Sequence, residues 1–440
     1  MYRHRSKTTT GLHLGTKIRM QISFSEYTIV EKTTQAVDPL GLMRPANALR
    51  DTIFPQFTVL TRHPAHLGLL CAIWQELDTS ADAKAPQRAR RFRELEVFWG
   101  AACAAAGERP VNITKFSRLI ERGLPLSLSV IPRQDAVFRR LGYGTLGHYN
   151  RPAVSWGLLR RGSEGLTPLG RQLGDGFGAR ASGGGVSALF RRWRHGQEFD
   201  EEDLLQVAGK FGLRAPASRP ERAAWKEAIE KHLLASPDRR ALWDRPVETD
   251  VLTGADESPE SLRVFWKHLQ DRYPSLKPLL LRIDCFERLT AGLQFLFDCL
   301  LARAEFTGEA AQFKVRKDLV PALSNLARGY RAMLGAEDAG QLIARVSEAP
   351  LDLVAISDCV LEHHIAHHRQ KGARPFLTRD GVQVRGRTDR RQLAGALKEI
   401  DEAADATRAL DALQFRYRRD WHFAKCRRWK DHADGGRVAA

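Results

Sequence analysis

Apolar residues along this chain recur mostly at three- and four-residue spacing, the period of helices with one buried face. Leu67, Leu70, Ile73, Trp74 and Leu77 form such a stripe over about 66–77, and Phe92, Leu95, Val97, Phe98 and Trp99 form another over 87–106. The same pattern predicts helices over 113–122, 134–141, 198–209, 222–235, 259–273, 285–305, 316–335 and 339–347. Leu289 to Ala302 is the richest apolar stretch, but Gln294 and Asp298 interrupt it, which marks a buried helix and not a membrane span. Asp200-Glu201-Glu202-Asp203 puts acids in a helical first turn, where the helix dipole favours them. From Arg390 to about Asp431 the pattern reads as one broken helix or two consecutive ones.

Strand signals are few. Residues 21–33 alternate (Ile22, Phe24, Tyr27, Ile29) as a strand or extended segment does. Val154 to Arg160 reads as a strand and Arg161-Gly162-Ser163-Glu164-Gly165 as a tight turn. Thr167 then suits a helix N-cap, with Pro168 at the first helical position. Helices, hairpin and capped helix together predict a winged-helix-like segment over about 111–178, the kind of domain that sets a helix in the DNA major groove. A small helical subdomain with the same caps is the alternative. Thr378-Arg379-Asp380-Gly381 between two apolar runs predicts a hairpin.

At 440 residues the chain exceeds one compact core. Ser182-Gly183-Gly184-Gly185 is its clearest linker. The expected organisation is a disordered basic arm over 1–20, an α+β domain over 21–181 and a helical domain over 186–440. The fold class is mainly α with minor β.

Charge changes the picture. Lys and Arg number 69 against 52 Asp and Glu, a net charge of +17. Such a surface attracts polyanions, of which nucleic acid is the most abundant. The six cysteines, Cys71, Cys103, Cys285, Cys299, Cys359 and Cys426, form no C-x-x-C pair, which argues against a zinc finger and for reduced thiols in the cytoplasm. The first twenty residues carry Arg3, Arg5, Lys7, Lys17 and Arg19 without an apolar run, unlike a secretory signal. No membrane association is expected. P-loop and G-x-S-x-G motifs are absent, and Gly142-Tyr143-Gly144-Thr145-Leu146-Gly147 lacks the preceding strand that a dinucleotide site needs.

The densest chemistry is Glu362-His363-His364-Ile365-Ala366-His367-His368. On a helix His363 faces His367, and His364 faces both His367 and His368. These four are the candidate catalytic residues, as general acid or base groups. His363 with His367, or His364 with His368, is the candidate half-site for a divalent metal, the first pair being preferred, with Cys359 or Glu362 to complete it and a distant carboxylate as a further ligand. The H-E-x-x-H order of zinc proteases is absent. The competing reading is a helix end whose histidines cap carbonyls or pack against Phe376.

Arg369, Lys371, Arg374, Arg379, Arg385 and Arg387 follow over the next nineteen residues, and Gly372 would let backbone approach an anion closely, as in a phosphate cradle. Near the C-terminus Leu410, Leu413, Tyr417, Trp421 and Ala424 form an inner stripe, leaving Arg416, Arg419, Arg427 and Lys430 as outer phosphate binders. Stacking of Phe423 or Trp429 on bases is the lesser reading there.

Asp38-Pro39-Leu40-Gly41, Pro55, Thr58, Thr61-Arg62 and Trp74 resemble the opening of an uncharacterised bacterial family found at mobile-element and phage-defence loci. The chain resembles that family again at Gly144 to Tyr149, at Leu166-Thr167-Pro168-Leu169-Gly170 and from His368 to Gly381. The resemblance implies a genomic setting, with partner proteins from the same operon, and assigns no activity. The leading expectation is a DNA-binding or RNA-binding component of an antiviral defence or mobile-element system. A metal- or His-dependent nuclease or phosphoesterase, and an interaction scaffold without catalysis, are the alternatives.

Overall fold

The computed structural model describes residues 38–57, 63–79, 85–110, 113–121, 123–127, 145–161, 165–181, 198–244, 259–305, 315–334, 340–383, 390–417 and 423–435. The expected basic arm, the strand over 21–33, the helix over 134–141 and the Gly-rich linker lie outside these residues. The described chain is mainly helical with very little strand, as the periodicity predicts.

Helices α1 (Met43–Ile53), α2 (Ala65–Thr79), α3 (Ala85–Ala105), α4 (Ile113–Glu121), α5 (Thr145–Ser155), α6 (Pro168–Gly178), α7 (Glu201–Phe211), α8 (Arg219–Ala228) and α9 (Pro237–Asp244) form a first group. Helices α10 (Pro259–Arg272), α11 (Lys277–Glu305), α12 (Leu319–Leu334), α13 (Gln341–Glu348), α14 (Leu353–Gln370), α15 (Arg390–Glu402) and α16 (Ala406–Arg416) form a second, built around α11. The last helix, α17 (Phe423–Asp434), returns to the first group and packs on α8 and α9. Two antiparallel strand pairs complete the description. β1 (Leu126–Ser127) pairs with β2 (Glu198–Phe199), and β3 (Leu377–Thr378) pairs with β4 (Gly381–Val382).

Several boundaries differ from the sequence expectation for local reasons. Val154 and Ser155 end α5 and do not belong to a strand; only Leu159 pairs across the turn, with Leu166. Helix α11 starts at Lys277, eight residues before the expected Cys285, because Pro278 sits in its first turn, where a missing N–H costs nothing. The C-terminal region holds three helices, not two. Asp405 separates α15 from α16 by accepting the Arg408 N–H at 2.9 Å as an N-cap. Thr167 caps α6 as expected, accepting from Gly170 N at 3.0 Å.

Close approach of α6 to its neighbours depends on its glycines. A Cβ at Gly176 would stand 2.5 Å from the Glu221 backbone in α8, and one at Gly174 would stand 3.1 Å from the Cys71 backbone in α2. The contact of α6 with α8 joins chain from either side of residues 182–197. One apolar core runs from Leu40 to Ala433.

At the centre of the first group, Trp156 stacks on Trp429 of α17 with centroids 4.9 Å apart, and Trp225 stands edge-on to both. Beside them Arg180 donates two hydrogen bonds of 2.6 Å to Glu221, and His432 of α17 lies 3.3 Å from the same carboxylate. All three side chains are almost wholly buried. Burial works against the Glu221 carboxylate, but the Arg180 charge and the His432 contact more than offset it and hold its pKa down, at about 2.

This cluster yields a direct test. Glu221→Gln preserves the shape and strands Arg180 as an uncompensated buried charge. The expected loss is about 3–5 kcal/mol, seen as a lower urea midpoint with an unchanged slope. A midpoint equal to that of the wild type would show that the pair does not hold α17 in place.

Candidate functional site

The histidine run falls on α14. Asp352 begins the helix by accepting the Ala355 N–H at 3.2 Å. Ile356, Val360, His364 and His368 then follow at four-residue spacing along its buried face. Two histidines thus occupy positions that the periodicity would give to aliphatic residues. His364 rests against Phe297 of α11 at 4.5 Å and against Phe376 at 5.5 Å between centroids.

The rings are tied to backbone on two sides. His364 donates from Nδ1 to the Pro39 carbonyl at 2.8 Å, while its Nε2 accepts the Phe376 N–H at 2.9 Å. Only a neutral imidazole with its proton on Nδ1 makes both bonds. Burial pushes its pKa down to about 4, against the favourable bond to Pro39. His363 donates from Nε2 to the Leu40 carbonyl at 3.0 Å, and His368 from Nδ1 to the Arg374 carbonyl at 3.0 Å. Burial lowers the pKa of each of these as well.

The turn at 38–41 is shaped to receive these rings. The Asp38 carboxylate accepts the Leu42 and Met43 N–H groups at 2.8 and 2.9 Å, starting α1. Gly41 has a φ of +65°, and a Cβ there would stand 2.5 Å from the His367 ring. Glycine is required both for the backbone conformation and for the space. Two blocks more than 300 residues apart in sequence, Asp38–Gly41 and His363–Phe376, therefore form one knot.

This geometry bears differently on each of the four histidines. Both nitrogens of His364 are occupied, so it holds no free nitrogen for proton transfer. The Nε2 atoms of His367 and His368 are buried without a hydrogen-bond partner. His363 and His367 face each other at 6.0 Å, but the Nε2 of His363 is directed at a carbonyl. Among the described residues no group of three or more His, Cys, Asp or Glu comes together to hold a metal ion. The expected divalent-metal pair thus lacks a third donor there. Carbonyl capping and packing against Phe376 account for most of the ring contacts.

After α14 the chain makes a basic turn. Lys371 N–H donates to the His367 carbonyl, Gly372 N–H to Arg369 and Ala373 N–H to His368, at 3.2, 3.0 and 2.9 Å. With its φ of +63°, Gly372 is a helix terminator of the left-handed kind. The backbone cradle expected at Gly372 is therefore not formed, because these N–H groups are spent on helix carbonyls. An anion at this turn would be met by side chains. Arg369, Lys371 and Arg374 are exposed and pair with no described carboxylate; Arg374 donates to Gln383 at 2.9 Å. Arg379, by contrast, is paired with Glu362 at 2.7 Å.

Of the remaining expected phosphate binders, only Lys430 has a described side chain. Arg385, Arg387 and Arg419, and the side chains of Arg416 and Arg427, lie outside the described residues. Lys430 donates to the Trp243 and Asp244 carbonyls at 3.2 and 3.4 Å, closing the end of α9. Trp429 is buried in the tryptophan cluster and cannot stack on a base. Sequence reasoning missed the His63–Arg180–Glu221–His432 cluster, whose members are too scattered to form a motif. Its rings meet edge-on, His63 to His432 at 5.5 Å, and burial, with nearby cations, holds the His63 pKa well below its ordinary value. A second exposed basic group, Arg160, Arg161 and Arg171, lies at the short turn before α6 and in the first turn of that helix.

No protein-family model, curated protein or solved structure matches the chain. Among the described residues no helix is long and apolar enough to cross a membrane.

Two outcomes follow from the knot. A buried imidazole with a depressed pKa contributes stability above its ordinary value of 6.5, and that contribution is lost as pH falls toward about 4. The shift corresponds to on the order of 3 kcal/mol. The urea midpoint of the wild type should fall over this window by more than that of His364→Asn, which cannot protonate there; parallel curves would refute the neutral bridge. Gly41→Ala should cost about 2 kcal/mol or more through its strained φ and the collision with His367, and an unchanged melting temperature would contradict the close contact.

Proposed function

We propose that the protein binds the phosphate backbone of nucleic acid through side chains of the basic turn, as a component of a bacterial defence or mobile-element system. The observation that carries this reading is the trio Arg369, Lys371 and Arg374, exposed and without described carboxylate partners, in a chain of net charge +17. Cations near a helix C-terminus also complement its dipole. That accounts for bases in the last turn of α14 but not for Arg374 beyond it. Arg160, Arg161 and Arg171 support a second contact from the winged-helix-like segment. There the short turn would lie along the backbone, since α6 is covered by α2 and α8 and cannot enter a groove.

A His-dependent phosphoesterase is the second reading. It draws on the unpartnered Nε2 atoms of His367 and His368 beneath the basic turn. It would need a rearrangement that exposes them, since both atoms are closed off from solvent.

The test is fluorescence anisotropy with labelled DNA and RNA over a salt series. Each phosphate contact contributes about 0.9 (duplex) or 0.7 (single strand) to the slope of log affinity against log salt. Arg369→Glu with Lys371→Glu should weaken binding more than about tenfold and reduce the duplex slope by about 2. Absence of binding at low salt would overturn the reading and favour a protein-interaction scaffold. Binding unaffected by the double variant would remove the basic turn from it.

A further inference from the structure

We infer that His364 and His368 are positioning residues for the basic turn. They hold it in its binding shape before any polyanion arrives, and they do not touch the polyanion themselves. This rests on the phosphate-binding reading above.

The turn between Lys371 and Phe376 is fastened at both ends by two residues of α14. His368 clamps it twice. Its carbonyl accepts the Ala373 N–H at 2.9 Å, and its ring Nδ1–H donates to the Arg374 carbonyl at 3.0 Å. The same ring packs edge-on against Phe376 with centroids 4.9 Å apart. His364 holds the far end through the Phe376 N–H at 2.9 Å and is itself tied to Pro39 at 2.8 Å. Both histidines are wholly buried, so neither can reach a bound phosphate.

The basic side chains project from the stretch that these bonds define. Lys371 and Arg374 lie within it and Arg369 lies just before it. A backbone fixed in advance lowers the ordering cost of binding, which is otherwise charged against affinity for each long side chain immobilised. The fastening extends through Asp38–Gly41 to the start of α1, so the turn is braced by chain far from it in sequence.

The test compares His368→Leu with His368→Asn. Asparagine can offer its amide N–H from about the place of Nδ1 and so restore the bond to the Arg374 carbonyl; leucine cannot. His368→Leu should bind labelled duplex DNA about three- to tenfold more weakly than wild type at fixed salt, and His368→Asn should recover most of that loss. Glu221→Gln, which acts through Arg180 and His432 and not through the turn, should leave affinity unchanged at a temperature where it stays folded. Equal affinities for wild type and folded His368→Leu would overturn the inference, as would a comparable loss in Glu221→Gln.

Hydrogen exchange of the wild type covers the case in which His368→Leu does not fold. The Ala373 and Phe376 amides should be protected in the free protein and change little when DNA is added. Exchange that slows only with DNA would mean that the ligand, and not the histidines, shapes the turn. If wild type shows no salt-dependent binding, the phosphate-binding reading fails with the inference. If it binds and Arg369→Glu with Lys371→Glu does not, while His368→Leu is unaffected, only the positioning role fails.

Discussion

The lone pair on Nε2 of His364 is the point on which this structure turns. It accepts a backbone N–H from the segment after α14, while the opposite nitrogen donates to a carbonyl before α1. A protonated ring would set a donor against a donor, so the bridge exists only for the neutral form. The environment enforces that form. Phe297 and Phe376 close around the ring, and desolvation disfavours its charge. His363, His367 and His368 extend the junction along one helix, and Gly41 leaves the space that it needs. Four histidines in two helical turns become a fastening between chain segments, a role in which an imidazole serves as a ring with one donor and one acceptor.

The other end of the chain is secured by different physics. Helix α17 follows the second group in sequence but is buried against the first. Trp429 fills a slot between Trp156 and Trp225, and His432 meets the carboxylate of Glu221. A buried carboxylate must be paired, and Arg180 pairs it with two short hydrogen bonds. The N-terminal turn thus crosses to the second group of helices and the C-terminal helix crosses to the first. These reciprocal crossings agree with the continuity of the apolar core.

This arrangement bears on how the basic residues act. Surface arginines and lysines are individually mobile, and that mobility counts against binding. At the end of α14 the left-handed turn that Gly372 permits is held by helix carbonyls and by two buried rings. Side chains carried on such a turn would meet a polyanion with their anchor points already set. The same bonds spend the backbone N–H groups that an anion nest would require, so the proposed binding there would be electrostatic and would fall to Arg369, Lys371 and Arg374.

Much of the architecture is written in local pattern. The stripes at Leu67–Leu77 and Phe92–Trp99, the cap at Thr167 with Pro168 behind it, and the hairpin at Thr378–Gly381 all follow from period, capping and turn chemistry among neighbouring residues. The mainly helical class and the presence of a histidine helix beside a basic turn were legible in this way. Where only neighbours matter, a sequence carries its own answer. That the histidines cap carbonyls and pack against Phe376 was one of the competing sequence readings, but which groups they meet was not legible, because the partners of His363, His364 and His368 are the Pro39, Leu40 and Arg374 carbonyls and the Phe376 N–H, backbone groups that no motif can mark. The same holds for Glu221, whose burial depends on glycines in α6 and on an arginine and a histidine 41 residues before and 211 residues after it. Local sequence determined the helices and the store of charge. Tertiary packing alone decided which rings became fasteners, which bases stayed exposed and where residues 38–41 and helix α17 were tied, because those outcomes depend on distances that form only when remote segments bury one another.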